Sequence, residues 1–390
     1  MPFPSPPSRY IIPDLPSAAE LLPFLERIDA NRWYSNFGPL VCAFEQEFAA
    51  TMAAAHGGAP QHAFAPVTGY HGLAIGLKLL GCGAGDNVLM PAITFPACPL
   101  AARHIGAEAV LADVDGQNWT LTPAIARAVA ARMKIKAVMP VALYGVPLPA
   151  DAWDAFTQDT GIPVIIDAAA AVESQRYLKS GIVVHSLHAL KPFGIGEGGL
   201  MVTADAALIA KAQEYANFGT RDRITYGEGE NAKMSEYHAA VALAQLQRWP
   251  LIKARRQRVY DTYKRALRGT ESLIALHPAL DKVVVSNLML RAHRPLAANL
   301  PDKLKQKDVY SHRTYLPPLY HHPHFAALTV ASCEGRVATT ADHAAKAALM
   351  PQCEALNQTV IGLPFHAFMT ETEILHAAKT LAESLADIKP

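Results

Sequence analysis

No disulfide framework and no zinc knuckle is written into this sequence. Its five cysteines, Cys42, Cys82, Cys98, Cys333 and Cys353, are odd in number, scattered and never in a C-x-x-C pair. Reduced thiols in a cytoplasmic protein are the expectation. No run approaches the roughly 18 apolar residues that a membrane-spanning helix needs. The first ten residues are Pro/Ser-rich without an apolar stretch, so no secretory signal is expected there. An excess of one charge is also missing. With 35 Lys+Arg against 34 Asp+Glu, the net charge of +1 offers nothing to nucleic acid or an acidic membrane. Internal repeats and low-complexity tracts are absent. A metabolite-sized substrate is the better expectation.

Apolar residues are plentiful. They make up 51% of the chain while charged ones make up 18%, which favours well-buried sheets and a tightly packed or oligomeric surface. Between about residues 65 and 205, short apolar runs alternate with helical patterns. Strands are expected over 87–91, 107–114, 137–143, 164–167, 182–187 and 199–203. Several are apolar almost throughout, as strands covered on both faces must be. A helix is expected over 122–133, with Thr122 as N-cap and Pro123 at its first position. This alternation predicts a doubly wound α/β sheet.

After Thr203 the character changes. A helix over 205–217, capped by Asp205, leads into a polar, Gly-containing loop through Gly229. A long helix is expected from near Ser235, bending at Pro250 and running to about Leu267. A strand over 283–290 and a closing helix from Thr370 complete a smaller α+β domain. The expected division is an N-terminal segment 1–30, a large domain 31–250 and a small domain 251–390.

Asp167 ends the apolar run Val164-Ile165-Ile166-Asp167. Ligands of open parallel sheets gather at the carboxyl ends of strands, although a helix N-cap is the plainer reading of such an acid. Farther on, Ser186-Leu187-His188-Ala189-Leu190-Lys191 leads out of a strand toward Gly194, Gly196, Gly198 and Gly199. A lysine is ordinarily a solvated surface residue. Lys191 has apolar flanks and a glycine-rich turn, a setting that favours a nucleophilic amine. Asp167 and Lys191 follow neighbouring expected strands, which lets them face one site. The cluster His312, His321, His322 and His324 fits no clear ligand set, so no metal is expected.

In order and spacing these pieces resemble the DegT/DnrJ/EryC1/StrS family, the sugar aminotransferases of the type I pyridoxal-phosphate fold. Asn31-Arg32-Trp33-Tyr34-Ser35-Asn36-Phe37-Gly38-Pro39-Leu40 resembles the family's N-terminal substrate-side segment. Gly83-Ala84-Gly85-Asp86-Asn87-Val88 with Pro91-Ala92-Ile93-Thr94-Phe95 resembles G-x-G-D-E-V … P-x-x-T-F. Pro140-Val141-Ala142-Leu143-Tyr144-Gly145 resembles P-V-H-L-Y-G. Gly229-Glu230-Asn231-Ala232-Lys233-Met234-Ser235-Glu236 resembles G-Y-N-Y-R-M-S-E.

The resemblance extends over most of the chain. It implies a mostly parallel central sheet flanked by helices, a smaller C-terminal α+β domain and pyridoxal 5'-phosphate as cofactor. Lys191 would hold the cofactor covalently and then shuttle a proton. Asp167 would pair with the pyridine nitrogen and Phe95 would stack on the ring. The turn at Gly69, Tyr70 and His71, with Ser186, would hold the phosphate. Asn231 would reach the phosphate of a neighbouring subunit, which implies a homodimer with a shared active site. Tyr34, Phe37, His188 and Tyr315 are candidate substrate contacts, and one histidine of the 312–324 cluster is a further one.

The implied reaction moves an amino group, from glutamate by analogy, to a keto group on a nucleotide-linked keto-sugar. Departures from the family pattern fall at Ala170, Tyr70, Phe218, Glu230 and Ala232, several of them at the pocket. They keep a non-sugar carbonyl acceptor open as an alternative. A dehydrating branch of the family has histidine in place of the lysine, so Lys191 argues against it. A non-catalytic regulator of the same fold is opposed by the presence of both Lys191 and Asp167.

Overall fold

A computed structural model describes residues 10–56 and 61–386; residues 1–9, which carry most of the N-terminal expectation, lie outside them. Ser17 opens α1 (Ala18–Asn31) with a capping box. Its hydroxyl accepts the Glu20 N–H while the Glu20 carboxylate accepts the Ser17 N–H. There follow α2 (Pro39–His56), β1 (His62–Phe64) and α3 (Gly69–Leu79). Strands and helices then alternate through β2 (Asn87–Pro91), α4 (Ala97–His104), β3 (Glu108–Ala112), α5 (Pro123–Ala130), β4 (Ala137–Val138) and α6 (Ala150–Thr160). Next come β5 (Ile165–Asp167), β6 (Ile182–Ser186), β7 (Gly199–Thr203) and α7 (Ala206–Tyr215). Thr122 and Asp205 cap α5 and α7 through the Ile125 and Ala207 N–H groups.

The hairpin β8 (Thr220–Arg221) and β9 (Ile224–Thr225) precedes the long helix α8 (Glu236–Ala266). After it come β10 (Ile274–Leu276), β11 (Leu288–Ala292), β12 (Thr329–Ala331), β13 (Val337–Ala338) and β14 (Val360–Leu363). Parallel pairing joins β2 to β3 and β4, and β5 to β6. Parallel bridges Val138–Val164 and Val141–Asp167 connect these two groups. The large sheet is therefore mostly parallel. Successive strand residues face opposite layers, as the period of two demands. Val88 and Met90 pack with Leu73, Ile75 and Leu77 of α3, while Leu89 packs with Trp153 and Phe156 of α6. A separate antiparallel sheet, β10-β11-β14, shares a core with Tyr263 of α8 and with Ile374 and Leu381 of the closing helix Glu371–Ala386.

Three features differ from expectation. β7 runs antiparallel to β6, because the chain turns back through residues 187–198 without the helical crossover that a parallel neighbour needs. β12 joins the large sheet, parallel to β3, although it comes from the C-terminal third of the chain. As expected, the long helix continues past Pro250: α8 is one 31-residue helix, with Trp249 and Ile252 buried beside the proline. Packing of that face outweighs the hydrogen bond a mid-helix proline removes. The strand expected over 283–290 begins only at Leu288. Upstream of it, the Val285 and Ser286 carbonyls are taken by the Arg256 guanidinium and the Ser286 N–H by the Tyr144 carbonyl, in place of a ladder. Among the described residues no helix is long and apolar enough to cross a membrane.

Candidate active site

β5 and β6 end side by side, at Asp167 and Ser186. The Asp167 carboxylate is 4% exposed. Its Oδ1 accepts the Ala169 N–H at 2.9 Å and its Oδ2 accepts the Cys98 S–H at 3.0 Å. Beyond Ser186 the chain folds into a tight loop closed by Leu187 N–H to the Gly198 carbonyl (2.9 Å) and Ala189 N–H to the Gly196 carbonyl (2.8 Å). Glycine is required here: a Cβ on Gly194 would sit 2.5 Å from the Ala189 carbonyl oxygen, and Gly196 has φ 107°. This loop presents Lys191, whose Nζ donates to the Tyr315 hydroxyl at 3.4 Å.

Lys191, Asp167 and Ser186 line one cavity of about 530 Å³, a size suited to a small molecule. Phe95 lies in its wall with 58% of its surface exposed, an unusual state for a phenylalanine and one that leaves its ring free to contact a ligand. Tyr315 meets Phe95 edge-on at 6.2 Å and stacks on Tyr144 at 5.7 Å, so three aromatic rings form a continuous wall. Burial pushes the Tyr144 hydroxyl well above the usual phenol range, and that hydroxyl donates to the Thr314 carbonyl.

The N-terminus of α3 closes another side of the cavity. Thr68 caps it by accepting the His71 N–H at 3.2 Å, and the first N–H groups, of Gly69 and Tyr70, belong to the open helix end. A Cβ on Gly199 would lie 2.4 Å from the Thr68 carbonyl oxygen, so the start of β7 packs directly against this turn. The Thr68 hydroxyl also lies 2.8 Å from His71 Nδ1, and burial lowers the His71 pKa. The donor set fits pyridoxal phosphate part by part: an amine, a carboxylate for the ring nitrogen, an open ring face, and N–H and hydroxyl groups for the phosphate.

His188 also lines the cavity, 3.7 Å from the Glu197 carboxylate. The other expected contacts lie elsewhere. Tyr34 is exposed and stacks on Tyr237 at 6.2 Å, Phe37 packs toward Phe64, and neither lines the cavity of its own chain. Asn231 is exposed, bridged to Asn217. The four histidines face different partners: His312 the Thr314 hydroxyl, His321 Glu354, His322 the Pro317 carbonyl and His324 Arg103. Only His312 approaches the site, stacking on the cavity-lining Tyr10 at 4.7 Å.

One pair of departures proves to be linked. The Tyr70 hydroxyl lies 3.1 Å from His104 Nδ1, and His104 Nε2 lies 3.0 Å from the Glu230 carboxylate. Lys233 bonds Asn217 at 2.8 Å and sits 5.0 Å above the Phe218 ring. Ala170 lines the cavity with only a methyl group to offer, and Ala232 is fully buried. The sequence reading missed Tyr10, Ser286, Asn287 and Thr314, which also line the cavity. They arrive from distant loops, and no local pattern marks them. For Cys98 the available signal is its place four residues after Thr94.

The sequence profile of the DegT/DnrJ/EryC1/StrS aminotransferase family matches residues 17–381. Protein Rv3402c of Mycobacterium tuberculosis is 27% identical, with 96% of this chain and 89% of that one covered. The crystal structure of 3-amino-5-hydroxybenzoic acid synthase is 27% identical, with 96% and 99% covered and a TM-score of 0.80. DesI, solved in the presence of its TDP-sugar product, is 26% identical, with 98% and 95% covered and a TM-score of 0.78. The chain belongs to the DegT/DnrJ/EryC1/StrS aminotransferase family and is a pyridoxal-phosphate-dependent aminotransferase.

Proposed function

We propose that this enzyme transfers an amino group from glutamate to the keto group of a nucleotide-linked keto-sugar. The observation that carries the reading is the meeting of Lys191, Asp167, Phe95 and the α3 N-terminus around one cavity. When bound, pyridoxal phosphate supplies an aldehyde that carries the amine and a ring that withdraws electrons. Lys191 Nζ would hold that aldehyde and, when free, would move a proton between the substrate carbon and the cofactor in each half of the reaction. The Tyr315 hydroxyl orients Nζ for both tasks. Asp167 would pair with the ring nitrogen, Phe95 would cover the ring face, and the Gly69 and Tyr70 N–H groups with Ser186 would bind the phosphate.

In this reading the active protein is a homodimer in the cytoplasm. Asn231, outside its own cavity, completes the phosphate site of the second copy. Exposed apolar surface supports the pairing, since Trp33, Tyr34, Phe218, Tyr226 and Tyr237 are each about half exposed. TDP-sugar is named for DesI, which supports the acceptor class.

One observation favours a second acceptor, a non-sugar cyclic ketone. Ala170 and the rings of Phe95, Tyr144 and Tyr315 give the cavity an apolar, flat-walled side, and the similar benzoic acid synthase is named for a non-sugar ring product. The test is a two-part assay. Glutamate should bleach the absorbance band of the loaded enzyme, and keto-sugar nucleotides should restore it faster than simple cyclic ketones. Faster restoration by a ketone without a nucleotide would replace the first acceptor with the second.

A further inference from the structure

Asp167 is satisfied by groups beyond the cofactor site. Its Oδ1 is occupied by the Ala169 N–H, and its Oδ2 by a side chain from α4. Cys98 is fully buried, with its Sγ 3.0 Å from Asp167 Oδ2 and 3.1 Å from the Thr94 hydroxyl. Carboxylate oxygens only accept, so the thiol must be the donor to Asp167, and the Thr94 hydroxyl in turn donates to sulfur. Burial and the neighbouring Asp167 push the Cys98 thiol well above its ordinary range, which keeps the proton on sulfur. The chain Thr94–Cys98–Asp167 therefore has one direction. Both its ends lie on the cavity wall, since Thr94 and Asp167 line it.

A thiol is a weak donor, and the strength of this donor sets how much electron density Asp167 keeps for another partner. We propose that Cys98 is a positioning residue for the reaction, a weak donor that holds Asp167 in place and leaves it a strong acceptor for the cofactor's ring nitrogen. The proposal rests on Asp167 pairing with that nitrogen. A hydroxyl at this position, donating more strongly, would draw density from the carboxylate. An alanine would leave Oδ2 without its donor and make it a stronger acceptor.

The experiment uses the full-length holoenzyme loaded with pyridoxal phosphate carrying ¹⁵N in the ring, and reads the nitrogen chemical shift against pH. In Cys98→Ala the signal should move toward the protonated-ring limit, equivalent to a rise of roughly half to one unit in the ring nitrogen's pKa. Cys98→Ser should keep the wild-type position or move the opposite way. The S–H stretching band in the infrared supplies a second readout. A band that vanishes in Cys98→Ala should shift toward the free-thiol frequency in Asp167→Ala. Unchanged ¹⁵N shifts in both Cys98 variants, with a displaced shift in Asp167→Ala, would overturn the role of Cys98 and leave that of Asp167 standing. Unchanged shifts in all three variants would overturn the Asp167 pairing and the proposal with it. Equal changes in the alanine and serine variants would point to packing and also overturn it.

Discussion

Glu236 reaches across from the first turn of α8 and receives the Leu40 and Val41 N–H groups of α2, at 2.8 and 2.9 Å, while fully buried itself. A carboxylate at a helix N-terminus satisfies two orphan donors and complements the helix dipole. The same contact explains Gly38, where a Cβ would fall 2.5 Å from the Glu236 Cδ. The Gly38-Pro39-Leu40 and Ser235-Glu236 pieces of the family pattern thus form one structural joint. Glu236→Gln loses the charge and one of the two acceptors, and is expected to cost about 2–4 kcal/mol of stability. Gly38→Ala should cost about 1–3 kcal/mol. Denaturant unfolding of both variants checks this, and a Glu236→Gln midpoint equal to wild type would contradict it.

Glu45 gives stability a pH dependence. Burial pushes its carboxyl from an ordinary 4.5 up to about 7, although Oε1 accepts the Ala65 N–H. The folded chain then binds this proton more tightly than the unfolded chain, so the Glu45 contribution falls as pH rises from about 4.5 to 7 and is flat above. Glu45→Gln removes the penalty while keeping an acceptor for Ala65. The variant should be more stable than wild type at pH 8 by on the order of 3 kcal/mol, and the gap should narrow to under about 1 kcal/mol at pH 5. Thermal melts at the two pH values measure this directly.

The Tyr70–His104–Glu230 connection makes two departures from the family pattern interdependent. Tyr70→Phe and Glu230→Gln should therefore be less than additive. His104 lies partly in solvent, so the coupling should be modest, about 0.5 kcal/mol in a double-mutant cycle. Strict additivity would mean that the two residues act separately.

How far the sequence reading reached depends on the range of each interaction. Thr122, Asp205 and the strands 87–91 and 199–203 were legible because caps and apolar runs are local signals. The antiparallel turn of β7 and the return of β12 to β3 were not, because pairing direction depends on the path of the connection. The same division holds at the site. Asp167, Ser186 and Lys191 stand at or just beyond strand ends, where local pattern finds them. Ser286, Asn287 and Thr314 come into the cavity only through tertiary packing, the first two beside the Arg256 side chain that spends the local carbonyls. Tyr34 and Phe37 were placed by resemblance, and a single chain does not bring them to its own cavity.

Lys191 is the proposed carrier of the cofactor. Borohydride reduction of the loaded protein, followed by digestion and mass spectrometry, locates the attachment. The pyridoxyl mass should appear on the peptide containing Lys191, and Lys191→Ala should carry no such mass and no visible absorbance band. A label on another lysine, or one that persists undiminished in Lys191→Ala, would contradict the account.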